Sequence, residues 1–402
     1  MTGTIDGDLS VINALIFDGF SPELMEGSIR ISAGKIVEIG KLKTGGERCL
    51  DAQGSVVTPG FIDNHFHAYG SGLNMVELEG SSLSLVALAS VPRLAGTLKR
   101  GFTTVRDVAG GDIGLDRAIN RGLLTAPRYF YTGPALSQTG GHGDPRPGEL
   151  NLCIGNCHVG EVVDGIDGLR IAVRERFRKG AHAIKMMTSG GVVSPADPIR
   201  SPQYSPEEIR AVTEEAARRG SYVAAHSYSP ESIMHSVTNG VRTIEHGNLL
   251  DDESARSMAE HGAFLVPTLA AYDAMSRRGI EIGMDAIALG KNAEVLDHGV
   301  QAIEIAKRHG VRIGFGSDLM GQLENEQLQG LRLQSQAQSM LELLRSVTSV
   351  NASILKRSDL GKIALGSVGD LLILGGNPFA SPSILWEPTE GRQVVQGGKL
   401  VF

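Results

Sequence analysis

Apolar and polar positions change rhythm twice along the chain. Through residue 57, short β-prone runs, LSVINALIFDGF, GSIRISAGKIVEIG and GSVVTP, alternate with glycine-containing turns at hairpin spacing. The last forty residues return to that style in LGSVGDLLILGGNP and GRQVVQGGKLVF, broken by Gly-Gly and Gly-Asn. Between them lie eight apolar strand-like runs, each followed by a helical stretch: GFIDNHFH (60–67), TTVRDV (103–108), RYFYTGPAL (128–136), AIKMMTSGG (183–191), SYVAAHSY (221–228), RTIEHGNL (242–249), AFLVPTL (263–269) and RIGFGSDL (312–319). That alternation predicts a parallel sheet with helices outside, and eight units close a barrel. The connectors carry helix signals. Ser205-Pro206-Glu207-Glu208 is a capping box with proline at the first helical position, leading into IRAVTEEAARRG with a glycine stop. LRIAVRERFRKG and AIEIAKRHG are similarly amphipathic, and no fixed-period self-similarity supports a solenoid. The expected fold class is α/β: a (β/α)8 TIM barrel over residues 58–362, with a small β-sandwich domain built from both chain ends, 1–57 and 363–402.

Composition narrows the function classes. Hydrophobic residues are 41% and charged residues 21%, enough apolar material for a large core and too much for general disorder. The 38 basic and 45 acidic residues give a net charge of −7 with no Lys/Arg block, which argues against nucleic acid. No apolar run approaches the ~18 residues of a membrane span, and the N-terminus lacks a basic start and cleavage site. Cys49, Cys153 and Cys157 are too few for a disulfide framework and fit a reducing compartment. A cytoplasmic homo-oligomer acting on a small-molecule substrate, away from membranes, is the expectation.

The chemistry sits at the ends of the strand runs. His65 and His67 lie two apart, so period-2 alternation points both rings to one side. A pair of core histidines would look the same. However, His226 ends the fifth run, His246 lies in the sixth and Asp318 closes the eighth. Histidines and a carboxylate thus gather at the C-terminal strand ends, the face on which barrel active sites are built. Such ligands suit zinc or a similar divalent ion. Lys185, in AIKMM, is an ammonium inside an apolar strand, which is costly unless it snorkels, pairs or changes chemically. A neutral amine, its pKa lowered by burial, reacts with CO2 to give a carbamate with two ligand oxygens. On that reading His65 and His67 hold the more buried of two ions and His226 and His246 the more open one. Lys185 bridges them, and Asp318 completes the shell of the more buried ion and handles the proton.

These residues resemble those of the amidohydrolase superfamily of metal-dependent hydrolases over nearly the whole chain. PGFIDNHFH is similar to its first-strand signature, TTVRD to its second, and HSY, TIEHG and GFGSD to its fifth, sixth and eighth. IKMMTSGGVVSPADPI, RTIEHGNLLDDESA and GAFLVPTL resemble the binuclear branch of prolidase-like dipeptidases and ochratoxin-degrading amidases. The resemblance maps His65, His67, Lys185, His226, His246 and Asp318 one for one onto metal ligands and catalytic aspartate. It also gives His142, in QTGGHGD, and Tyr228 substrate-facing roles. Arg106 reads as half of an ion pair with Asp107 near the mouth and as a candidate donor to a substrate carboxylate. Cys153, Cys157 and His158 superficially suggest a zinc knuckle or haem attachment, but the spacing and the missing second pair argue against it. After Asp318 the relatives tend to carry a histidine and a later glutamate, where this chain reads LMGQLENEQLQGLRL.

The resulting expectation is hydrolysis of an amide C–N bond, of an N-acyl amino acid or dipeptide-like substrate, by a hydroxide shared between two divalent ions, zinc by preference. Asp318 acts as base and then acid, and His142 and Tyr228 face the carbonyl. The same machinery would serve a urea, carbamate or lactone. A mononuclear deaminase would not need Lys185, and an inactive scaffold would not keep all six ligand positions.

Overall fold

The computed structural model describes residues 8–43, 47–149, 158–194, 197–387 and 391–402. The eight runs fall into two parallel arcs. Strands Phe61–Phe66, Phe102–Asp107 and Arg128–Tyr131 make a three-stranded sheet. Ala135–Ser137, Ile184–Met187, Val223–Ser227, Thr243–His246, Phe264–Val266 and Arg312–Ile313 make a longer one, extended at one edge by Gly160–Val162. Backbone bonds cross both seams between the arcs: His182 N to Tyr131 O at 2.8 Å, Asn64 N to Phe315 O at 3.0 Å and Asp318 N to His65 O at 2.8 Å.

Two runs differ from the sequence expectation for local reasons. The third is split at Thr132-Gly133-Pro134, where Gly133 has φ +73° and the proline has no N–H to donate to a ladder. Its halves therefore join different arcs. The eighth keeps regular pairing only over Arg312–Ile313. Beyond it, Phe315 N is held by the Asn351 side chain at 3.0 Å, and the chain passes close against His65. A Cβ on Gly316 would lie 2.4 Å from that of His65, so this approach requires glycine.

Strand alternation fixes what faces inward. Ile184, Met186, Val223, Ala225, Ile244 and Leu265 pack outward against helical residues such as Leu169, Ile209, Val212 and Ile233. Lys185 alternates with Ile184 and Met186, so its side chain takes the opposite, interior side. The helix Pro206–Arg218 begins at the expected capping box: Ser205 Oγ accepts from Glu208 N at 3.3 Å, and Glu208 Oε2 accepts from Ser205 N at 2.8 Å. Pro230–Val237, after the fifth run, starts with the same Ser-Pro-Glu opening.

Strands from both chain ends share one eight-stranded sheet, joined where Val56–Pro59 pairs antiparallel with Leu371–Ile373. Leu372, Leu374, Val56 and Val394 pack toward Phe61, Phe102 and Phe315 of the parallel strand runs. Their alternates Leu371, Ile373, Val57 and Val395 form a separate core with Leu9, Val11, Ile29 and Ile31. No helix among the described residues is long and apolar enough to cross a membrane.

Candidate active site

The six sequence-predicted ligand positions line one cleft, with His142 and Tyr228 beside them. Its volume is ≈ 910 Å³ with the open mouth included. His65 and His67 leave the first strand with rings 5.1 Å apart. One Asp318 oxygen, Oδ1, lies 2.9 Å from His67 Nε2 and 3.3 Å from His65 Nε2. The other, Oδ2, is 3.7 Å from His246 Nδ1. The His226 ring sits 4.5 Å from that of His246.

Two of these side chains reach the cleft by leaving ordinary backbone conformation. His246 has φ +75° and Asp318 φ +56°, left-handed values that cost a residue with a Cβ about 1–3 kcal/mol. At His246 the effect is decisive. Strict alternation would place it opposite Glu245, yet Glu245 Oε2 lies 2.9 Å from His65 Nδ1 while His246 faces the same cluster. Strain at the strand end turns both inward.

Burial sets the protonation states. It holds His226 and His246 well below the usual imidazole value, leaving both neutral and able to act as ligands. Burial would lower His65 as well, but the Asp318 and Glu245 carboxylates together outweigh it and raise this ring. Burial would raise Asp318, but His65, with help from His67 and His246, holds it well below the carboxylate range. Lys185 is 1% exposed; burial draws it down to about 8, and no hydrogen-bond partner reaches its Nζ. A buried polar atom with no partner is rare in folded proteins and calls for a chemical explanation.

Arg106 is not where the sequence placed it. It is fully buried beneath the histidines and lines no part of the cleft. Its guanidinium donates to Glu245 Oε1 at 2.7 Å, Asn64 O at 2.7 Å and Thr243 Oγ1 at 3.3 Å. With its donors engaged below the site, it cannot meet a substrate carboxylate. Its ion-pair partner is Glu245 rather than Asp107, whose carboxylate accepts from Ala68 N and the Tyr129 hydroxyl. Cys153 and Cys157 lie outside the described residues. His158 turns its Nε2 to Ser81 O at 2.8 Å.

The sequence reading missed several neighbours. Glu245 fixes His65, and its signal was the one that exposed Lys185: a charge in a buried strand. Tyr272 joins the Tyr228 hydroxyl at 2.8 Å to His246 Nδ1 at 2.7 Å, and nothing local marked it. In the loop after Asp318, Met320 and Leu323 line the cleft, while Glu324 is spent on Arg93, Arg100 and Thr97. Leu73, Met75, Val192 and Met275 complete a largely apolar wall.

A strand-end cluster of histidines, one aspartate and a lysine is the arrangement that the sequence motifs anticipate, and residues 56–401 match the model of the Amidohydrolase family. The chain belongs to that family. Across 373 residues it is 32% identical to an ochratoxinase of Aspergillus niger, covering 86% of this chain and 75% of that one. A prolidase crystallised with N-methylphosphonate-L-proline shares 42% identity at a TM-score of 0.95, covering 98% of this amidohydrolase and 99% of that chain. A Xaa-Pro dipeptidase with bound methionine shares 29% at 0.87, again over 98% and 99%. The protein is accordingly an amidohydrolase-family enzyme, a hydrolase of C–N bonds in small molecules.

Proposed function

We propose that this amidohydrolase cleaves the amide bond of an N-acyl amino acid or dipeptide-like substrate, using two divalent ions, zinc by preference, and a carbamate on Lys185. The observation that carries this reading is the Lys185 amine, buried without a partner among histidines. The donor set fits such ions. Ligand atoms of His65, His246 and Asp318 lie within 4.8 Å of one another, and a carbamate would turn the orphaned amine into an anion with two ligand oxygens. His65 and His67 would hold one ion, His226 and His246 the other, with Lys185 between them and Asp318 on the first.

When bound, divalent ions acidify water and draw charge from a carbonyl oxygen. Asp318 accepts the proton of the attacking water as the C–O bond forms. It returns that proton to the nitrogen as the C–N bond breaks, acting as base and then acid. His142 and Tyr228 face the carbonyl, where hydrogen-bond donors stabilise the developing oxyanion. The apolar wall excludes bulk water, strengthening both effects. The scaffold of this reading is one closed (β/α)8 barrel, supported by the bonds across both seams, and a terminal sheet curled into a small sandwich, supported by its separate core.

Elemental analysis of protein prepared with zinc and bicarbonate, combined with turnover of N-acyl amino acids, dipeptides, ureas, carbamates and lactones, tests it. Two ions per chain and amide turnover are expected. A single tightly bound ion removes the binuclear site. Inert amides beside an active phenylurea, carbamate or lactone overturn the substrate reading.

A further inference from the structure

Lys291 lies on the helix Ala286–Arg308, outside the cleft lining, and its surroundings are unlike those of a surface lysine. Its ammonium donates to three backbone carbonyls of one loop: Gly191 O at 3.1 Å, Ser194 O at 2.6 Å and Asp197 O at 2.8 Å. It forms no ion pair among the described residues, and the three carbonyl dipoles match the three N–H donors of an ammonium. That loop follows the Lys185 strand and is further tied by Asp197. Asp197 Oδ2 accepts from Gly191 N at 3.2 Å and Gln203 Nε2 at 3.1 Å, and its other oxygen accepts from Ser194.

The loop touches two site histidines. Gly190 O lies 3.1 Å from His226 Nε2. Gly191 lies flat against the His142 ring, and a Cβ there would come within 2.0 Å of His142 Cε1. Gln203 Oε1 accepts the His142 backbone N–H at 3.1 Å. The His142 Nδ1 has no hydrogen-bond partner and is 3.8 Å from Asp197 Oδ2. Packing therefore sets the ring's orientation, between the loop on one side and His226, stacked at 4.2 Å, on the other.

We propose that Lys291 is a positioning residue for hydrolysis: by gathering three carbonyls it holds the Gly190–Gly191 turn against His142 and so aims that ring at the substrate. Arginine is not equivalent here, because a guanidinium spreads its donors over a rigid planar fork, whereas an ammonium presents three from one nitrogen. The inference rests on the role proposed above for His142. It requires the loop contacts to act through that one ring.

The test is a double-mutant cycle on the metal-loaded enzyme, using the best amide substrate of the panel. Lys291→Met should lower kcat about 10- to 100-fold with KM changed less than about threefold, the signature of a misaimed group. Metal content should stay at the wild-type level. In the His142→Ala background the same change should alter kcat by less than about twofold, because the group it aims is gone. Wild-type kcat in Lys291→Met, or an equal factor in both backgrounds, overturns the proposal. Should Lys291→Met fail to fold, Gly191→Ala repeats the cycle with the lysine in place and the ring displaced, and an unchanged kcat there is equally fatal. A fully active His142→Ala enzyme would remove the role of His142 itself, and this proposal with it. A crippled His142→Ala enzyme with an additive Lys291→Met loss removes the mount alone.

Discussion

The floor of the site and the cleft above it treat charge in opposite ways. In the floor, Arg106 and Glu245 are both fully buried and saturated: the carboxylate takes Arg106 and Thr243 on one oxygen and His65 on the other. Burial would raise Glu245, but Arg106, seconded by His65, holds it far below the carboxylate range. In the cleft, the Lys185 amine and His142 Nδ1 are buried with no hydrogen-bond partner. The lesson concerns what a buried charge is for. A saturated pair costs much to break and does no chemistry, whereas an orphaned group is destabilising until something binds or modifies it.

That contrast breaks first at Lys185. Lys185→Met should reduce activity to background and lower the metal content, while the metal-free protein melts no lower than wild type, because a costly buried amine has been replaced by a methyl thioether. Calorimetry of the apo-protein beside elemental analysis checks this. A large loss of apo stability would mean that Lys185 is paired like the floor residues. Asp318→Asn should keep the fold and cost about 10²- to 10⁴-fold in kcat, since an amide cannot accept the proton. A loss below about tenfold with metals retained would give proton transfer to another group.

Arg106→Met should show the reverse pattern. Stripping one partner from a saturated buried pair costs about 3–5 kcal/mol, read as a lower denaturant midpoint, before any effect on turnover. An Arg106→Met enzyme of normal stability but raised KM would restore Arg106 to the substrate. The smallest effect belongs to the outer helix layer. Hydrogen bonds from Arg174, with the charges of Arg174, Arg218 and Arg170, hold Glu215 down at about 2, below the ordinary 4.5. Exposed arginines make this network weak, so Glu215→Gln should cost within about 1 kcal/mol. Its contribution is present above the unfolded pKa of 4.5 and is lost as pH falls toward about 2, so wild type and variant should converge in acid.

Much of this was legible in the chain. The eight runs and the terminal β segments announced themselves through local periodicity. His65, His67, Lys185, His226, His246 and Asp318 stood out because each is a ligand type at a strand end or a charge in an apolar run. Arg106 misled for the same reason: a charge in a buried strand near the mouth looks like a site residue whichever end of its neighbours it meets. The split third run was marked by Gly133-Pro134, but the sequence does not say that its two halves belong to different arcs.

Period-2 and period-3.6 patterns, turn residues and caps are properties of neighbours in the chain, so sequence alone determined the order of elements and which strand ends carry the histidines and Asp318. Contacts across long separations belong to no local pattern. Only the tertiary structure decided that Glu245 saturates Arg106 beneath the site, that left-handed turns at His246 and Asp318 swing those side chains into it, and that Lys291 reaches back about a hundred residues to the loop beside His142. Each depends on which burial costs the folded chain must offset, and that is set by where the strands finally meet.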